Sequence, residues 1–278
     1  MASVRPLKIV IFGPYKTGTT GLYYKISNSF PGKFRGIFEQ DHFTQMKDDT
    51  EAWILAKTIA WYDGRPVAEA YKDFMNFDRK VFLIRDPRDW IISALLFIIQ
   101  QERSLFEDDR RMAEILGALC AKEEDPRGRS LISLLELILG LSEQHDFASE
   151  IKWMGHHYRW LPQFEKEIGD HLVVRYEDFI DGRLEALEAY LGLSLTGTAQ
   201  VDAIHSHVPR TKGYGNWRHW LTEADVDFLK PFFQDYMSHF DYLDDWTLDP
   251  CPRINPEHCT HYVVRTINKR RGTPLQWP

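Results

Sequence analysis

Residues 9–26, IVIFGPYKTGTTGLYYKI, decide the fold. An unbroken apolar run leads into a turn of glycine, threonine and lysine, and the turn opens into a helix-like segment. A strand, turn and helix in that order leave several backbone N–H groups unpaired at the positive end of the helix dipole, which makes an anion site. Gly13 and Gly18 are spaced as in the nucleoside-triphosphate loop G-x-x-x-x-G-K-[ST], but Thr19 stands where that motif needs lysine. Lys16 lies inside the turn instead. From there an ammonium reaches the bridging side of a bound phosphate, while the amides and hydroxyls of Thr17, Gly18, Thr19 and Thr20 hold its oxygens. Nothing in the loop recruits magnesium. The plainer alternative is a tight strand-to-helix turn with a solvated lysine.

Four further runs read as strands: FRGIFEQ (34–40), WILAKTIA (53–60), KVFLIRD (80–86) and HLVVRYED (171–178). Runs that are apolar without alternation suit strands buried on both faces of a parallel sheet. The expected fold class is therefore α/β, a single domain with a central parallel sheet flanked by helices. Between about Trp90 and Phe164 the apolar spacing turns helical, and KEEDPRGR (122–129) reads as an exposed loop between two helices. From about Asp244 a Pro-, Cys- and His-containing tail begins, which suggests a domain over 1–245 and an extension over 246–278 packed on the core.

The formal charge of -7 and the pI near 5.9 argue against a nucleic-acid partner, so any anion site is local. Three scattered cysteines make no disulfide framework and suit a reducing, cytoplasmic setting. No signal-peptide pattern precedes the first strand, and the longest apolar run, WIISALLFII (90–99), is about half a membrane span. A protein without a membrane partner is expected.

The loop YKTGTT resembles the P-K-S-G-T-T loop of sulfotransferases that use 3′-phosphoadenosine 5′-phosphosulfate (PAPS, product PAP), with Tyr15 at the proline and Thr17 at the serine. VFLIRDPRDWIISAL (81–95) is similar to the family's segment for the 3′-phosphate, which implies that role for Arg85 and Ser93. The alternative for Arg85 is an ion pair with Asp86 or Asp89. RTKGYGNWRHWLT (210–222) resembles the late R-K-G-x-x-G-D-W loop that closes over the cofactor; it implies Arg210 or Lys212 as the basic contact, with Gly213 allowing close approach. This loop is one residue shorter, Asn216 replaces the acid, and Trp217 reads as an anchor to the core. VVRYEDF (173–179) is similar to the strand end whose tyrosine binds adenine, giving Tyr176 that role unless it only packs. Many cytosolic members carry an adenine-stacking tryptophan where this chain has Gly21. The resemblance spans about residues 7–240 and places a P-loop-like, phosphosulfate-binding turn after the first strand.

What it implies is transfer of the sulfuryl group to a hydroxyl or amine of a small-molecule acceptor by in-line attack, without metal. Lys16 would stabilise charge on the leaving phosphate. The acceptor needs a general base. Cytosolic members use a histidine after Lys-Thr, but this chain has Ile59 there; other branches use a glutamate after the second strand, which points to Glu39, then to His42, with Asp41 between them. His156, His157, His205 and His207 are further histidines to weigh. Helices between about Phe97 and Trp160 are expected to wall the acceptor site, and Glu107, Asp108, Asp109, Glu143 and Asp146 suit either a cationic acceptor or plain surface charge. Cys251, His258, Cys259 and His261 lack a usual zinc spacing. A P-loop nucleotide kinase and a nucleotide-binding module without catalysis are the alternatives.

Overall fold

The run Ile9–Phe12 is fully buried because β1 (Lys8–Gly13) occupies the centre of a five-stranded parallel sheet. With β2 (Phe34–Phe38), β3 (Trp53–Ile59), β4 (Arg79–Ile84) and β5 (Leu172–Arg175), the order is β2-β3-β1-β4-β5. The central register pairs Val10 with Ala56 on one side and Lys80 on the other. Each of the five strands coincides with a run expected from sequence to within a residue at its start, β4 beginning one residue earlier at Arg79. This computed structural model describes residues 6–40, 42–46, 52–200 and 213–275. The chain divides into two compact units, Met1–Arg85 with Trp160–Ile204, and Asp86–Arg159 with His205–Pro278.

The first unit holds the sheet and covers both faces of it. One face packs Ile9, Ile11, Leu55, Val81 and Leu83 against Leu22, Tyr23 and Ile26 of the helix Thr19–Ser27 and against Leu184, Leu187 and Leu191. The other carries an aromatic cluster in which the Phe164 ring lies 5.4 Å from Phe12, 5.2 Å from Phe82 and 5.3 Å from Tyr71. Burial on both faces explains why these strands lack alternation. The edge strands β2 and β5 are the exceptions, each buried at only one position, with Phe34 of β2 43% exposed. The chain goes out to β2, returns through β3 and resumes at β4 on the opposite side of β1. That reversal puts the loops after β1 and β4 side by side at the carboxyl end of the sheet, where open α/β folds bind ligands.

The second unit is helical: Pro87–Gln101, Arg103–Phe106, Asp109–Glu124, Leu131–Leu141, the Phe147–Arg159 part of the helix Phe147–Glu167, Trp217–Trp220, Glu223–His239 and Thr260–Arg271. Asp86 caps the first of these by accepting from Arg88 N–H, with Pro87 in the first turn. The fully buried Asp225 serves two helices, completing a capping box with Thr222 and accepting from Leu131 N–H and Ile132 N–H at 2.8 and 2.9 Å. The segment 122–129 becomes a loop between two helices only from Asp125, exposed at Glu124, Asp125, Gly128 and Arg129 as expected but buried at Lys122 and Pro126. Lys122 is fully buried at the end of its helix and donates to the Pro126 carbonyl at 2.6 Å; burial pushes its pKa down to about 8. Arg127 donates to the carbonyls of Arg218 and Asp249 at 3.1 and 2.7 Å. In the tail, Thr260 N–H donates to Glu123 at 2.8 Å and Gln100 donates to the Tyr262 hydroxyl at 3.1 Å, so the last helix is integral to this unit. Among the described residues no helix is long and apolar enough to cross a membrane.

Candidate active site

β1 ends at Gly13, whose lack of a side chain is obligatory: a Cβ there would lie 2.7 Å from the Leu83 carbonyl oxygen and from Thr19 Cγ2. The chain then turns through Pro14–Gly18, with Thr17 N–H and Thr17 Oγ1 both directed at the Pro14 carbonyl, at 3.4 and 2.6 Å. Lys16 has φ +64° and Gly18 φ +87°, so the turn makes two left-handed excursions before the helix Thr19–Ser27 begins. No side chain caps that helix, which leaves its first amides free to meet an anion. Thr17 and Thr19 are buried, whereas Tyr15, Lys16, Gly18 and Thr20 are half-buried.

Arg85 follows β4 directly and is 8% exposed. Its Nη1 donates to the backbone carbonyl of Lys16 at 2.9 Å, and its guanidinium lies 4.5 Å from the centre of the Tyr176 ring. Tyr176, at the end of β5, in turn packs on Gly18, where an added Cβ would come within 2.7 Å of the ring. The ends of three neighbouring strands thus converge on the turn. Phe179, one helical turn after Tyr176, stands against Gly21 at 3.2 Å from the position of a Cβ. That ring takes the side of the helix from which a tryptophan would otherwise project.

Glu39 follows β2 with φ +53°, its N–H donating to the Lys57 carbonyl at 2.7 Å so that the β2–β3 ladder continues one step past Phe38. Its half-exposed carboxylate forms an ion pair with the Lys57 ammonium. Lys57 is 1% exposed, lies 4.4 Å over the Phe38 ring and donates to Thr20 Oγ1 at 3.3 Å. Glu39 is therefore linked through one lysine to Thr20, in the first turn of the helix that follows the glycine-bearing loop. Sequence reasoning did not single out Lys57, although an isolated lysine inside the largely apolar run WILAKTIA is its signal, because an unpaired ammonium is costly to bury. His42 is exposed on the segment after β2, and Asp41 lies outside the described residues. Beyond β3, Trp61 is 44% exposed with its ring 5.9 Å from Tyr15, and its N–H donates to the Tyr71 hydroxyl at 2.9 Å.

The remaining expected residues belong to the second unit or fall outside description. Ser93 is half-buried on the helix Pro87–Gln101. Arg210, Lys212, His205 and His207 lie outside the described residues. Gly213 is half-buried, and the following residues are fixed by Asp89, which accepts from Gly215 N–H and from Trp217 N–H, the latter at 3.1 Å. Trp217 is the anchor expected: 2% exposed, with the Arg88 and Arg218 guanidinium groups 4.2 and 4.3 Å from its ring centre. Asp86 is engaged by Arg88, with Nη2 to Oδ2 at 2.7 Å. His157 is fully buried, stacked on Trp153 at 4.6 Å, and faces no cleft; burial drives its pKa down to about 3. The acids considered for a cationic acceptor are mostly committed: Glu107 to Arg103, Glu143 to Arg111 and Asp109 to Arg271, while Asp108 and Asp146 accept from nearby backbone amides. Among the described residues, no group of three or more His, Cys, Asp or Glu side chains gathers to hold a metal.

The chain matches no family model and no curated protein. Among solved structures it aligns with a mouse sulfotransferase, SULT7A1, complexed with PAP, at 16% identity over 86% of each chain and a TM-score of 0.47. It also aligns with a retinol dehydratase in complex with retinol and PAP, at 14% identity over 89% of this chain and 84% of that one, with a TM-score of 0.41. Assignment of a function therefore rests on the chain's own residues.

Proposed function

We propose that this chain is a sulfotransferase that moves the sulfuryl group of PAPS to a hydroxyl or amine of a small-molecule acceptor. The observation that carries the reading is the convergence of Lys16, Arg85 and Tyr176 on one glycine-bearing turn at the carboxyl end of a parallel sheet. Two cations and an uncapped helix start suit a ligand with two anionic ends, and an aromatic ring between them suits a base. A kinase loop would place lysine at position 19, which is threonine here.

In this reading the turn amides, Thr17, Thr19 and Thr20 hold the 5′-phosphosulfate, and Arg85, with Ser93 and a basic residue at 210 or 212, takes the 3′-phosphate. The acceptor oxygen or nitrogen bonds to sulfur as the bond from sulfur to the bridging phosphate oxygen breaks. Lys16 meets the charge that develops on the leaving phosphate. Glu39 receives the acceptor's proton, and Lys57 orients its carboxylate while contacting Thr20. His42 is the second choice of base.

Calorimetric titration with PAP and with AMP tests the reading. Tighter binding of PAP than AMP in the wild type, with Lys16→Ala lowering turnover by about 100-fold or more, is the expected result. Equal binding of the two nucleotides, or binding only of ATP with magnesium, would replace it with the kinase alternative.

A further inference from the structure

We infer that Arg85 and Tyr176 form a strut that holds the phosphate loop in its anion-binding conformation, so that Arg85 is a positioning residue for Lys16 as well as a contact for a distal phosphate. This deepens the proposed function, on which it rests for the identity of the ligand. Its basis is a closed ring of contacts within the first unit. Arg85 Nη1 donates to the Lys16 carbonyl at 2.9 Å; the guanidinium lies 4.5 Å from the Tyr176 ring centre; and that ring abuts Gly18, two residues along the same turn.

Each contact answers a local need. Lys16 adopts φ +64°, a conformation that residues with a Cβ avoid, so the turn needs something outside itself to hold it. The bond from Arg85 fixes the Lys16 carbonyl, and with it the orientation of the peptide whose other end is the Thr17 N–H. Arginine suits this task because its planar fork offers one donor to the carbonyl and leaves others in a fixed relation to it. Tyr176 supplies the stop on the other side. With Arg85 and Tyr176 8% and 7% exposed, solvent has little access to compete for these contacts. A residue serving only the distal phosphate has no reason to hold the backbone of the lysine at the other end of the ligand.

The test compares two ligands on the full chain by calorimetry: PAP, and adenosine 5′-phosphosulfate, which lacks the 3′-phosphate. Hydrogen–deuterium exchange is measured on the free proteins. For Arg85→Gln the strut requires weaker binding of both ligands, by about fivefold or more for adenosine 5′-phosphosulfate, the worth of one lost hydrogen bond. It also requires faster exchange confined to residues 14–20. Tyr176→Leu should do the same, whereas Tyr176→Phe, which keeps the ring against Gly18, should leave exchange over residues 14–20 close to wild type. If Arg85→Gln does not fold, Arg85→Lys and Tyr176→Leu carry the comparison. Loss of the PAP preference alone, with adenosine 5′-phosphosulfate affinity and loop exchange within about twofold of wild type, would overturn the strut. Should the wild type bind neither ligand, the sulfuryl-transfer reading fails while the exchange experiment still decides the strut.

Discussion

The Glu39 carboxylate and the Lys57 ammonium form an ion pair between the end of β2 and the interior of β3, with the lysine end buried and the acid end half-exposed. The asymmetry matters: the buried partner is held by packing and by Thr20, and the exposed partner stays accessible to solvent, as the proposed base must be. Glu39→Gln is expected to lower kcat by about 100-fold or more and to leave PAP affinity unchanged, as read from initial rates beside calorimetry. Lys57→Met should lower kcat as well, because the carboxylate loses its orienting contact. A Glu39→Gln enzyme with full turnover would transfer the role of base to His42.

Gly18 carries both a positive φ and the contact with Tyr176, so alanine there meets two obstacles at once. Gly18→Ala should cost roughly 1–3 kcal/mol of stability and abolish measurable PAP binding. Urea unfolding and calorimetry on the same preparation give both quantities. Gly64 also has a positive φ, but an added Cβ there meets nothing within 4 Å; Gly64→Ala should affect stability only and by less.

Asp89 accepts from two amides of the late glycine-containing loop and is 3% exposed. Replacing it with alanine leaves both donors without that acceptor, at an expected cost of about 1–3 kcal/mol for each buried donor left unpaired. Thermal unfolding should show the loss, and PAP affinity should fall if the loop closes over nucleotide. Asp89→Asn retains one acceptor oxygen and should recover part of both.

His157 makes stability depend on pH. Its pKa, depressed by burial to about 3, lies below the unfolded value near 6.5, so the folded chain keeps the ring neutral while the unfolded chain takes up a proton. The contribution is present above about pH 6.5 and is lost as pH falls toward 3. Between pH 7.5 and 5 the His157 share of that loss is about 2 kcal/mol. His157→Phe, which can still stack on Trp153, should flatten the urea midpoint over this interval relative to wild type; an unchanged slope would show that other groups set the acid sensitivity.

The five strands and the glycine- and threonine-rich turn after the first were legible because each is a local pattern: an apolar run, two glycines at fixed spacing, and hydroxyls beside them. Trp217 was legible for the same reason, a large ring next to a glycine turn. What escaped depends on partners far along the chain. Lys122 sits in a charged stretch that reads as solvent-exposed, yet its ammonium is enclosed by the carbonyls that follow it. Arg127 in the same stretch joins segments about a hundred residues away. Lys57 is harder to read for the same reason: its partners Glu39 and Thr20 lie 18 and 37 residues earlier in the chain. Of the acids at 107–109 and 143, Asp109 and Glu143 meet arginines far along the chain, Arg271 and Arg111, whereas Glu107 pairs with Arg103 one helical turn away.

Gly21 and Phe179 carry a consequence for anyone who would transplant residues between chains of this kind. A tryptophan introduced at position 21 would have to project where the Phe179 ring now stands, since even a methyl there would sit 3.2 Å from it. The two positions are therefore expected to be coupled: Gly21→Trp alone should cost stability, Phe179→Ala alone should open a void, and the double exchange should recover part of the loss in urea unfolding.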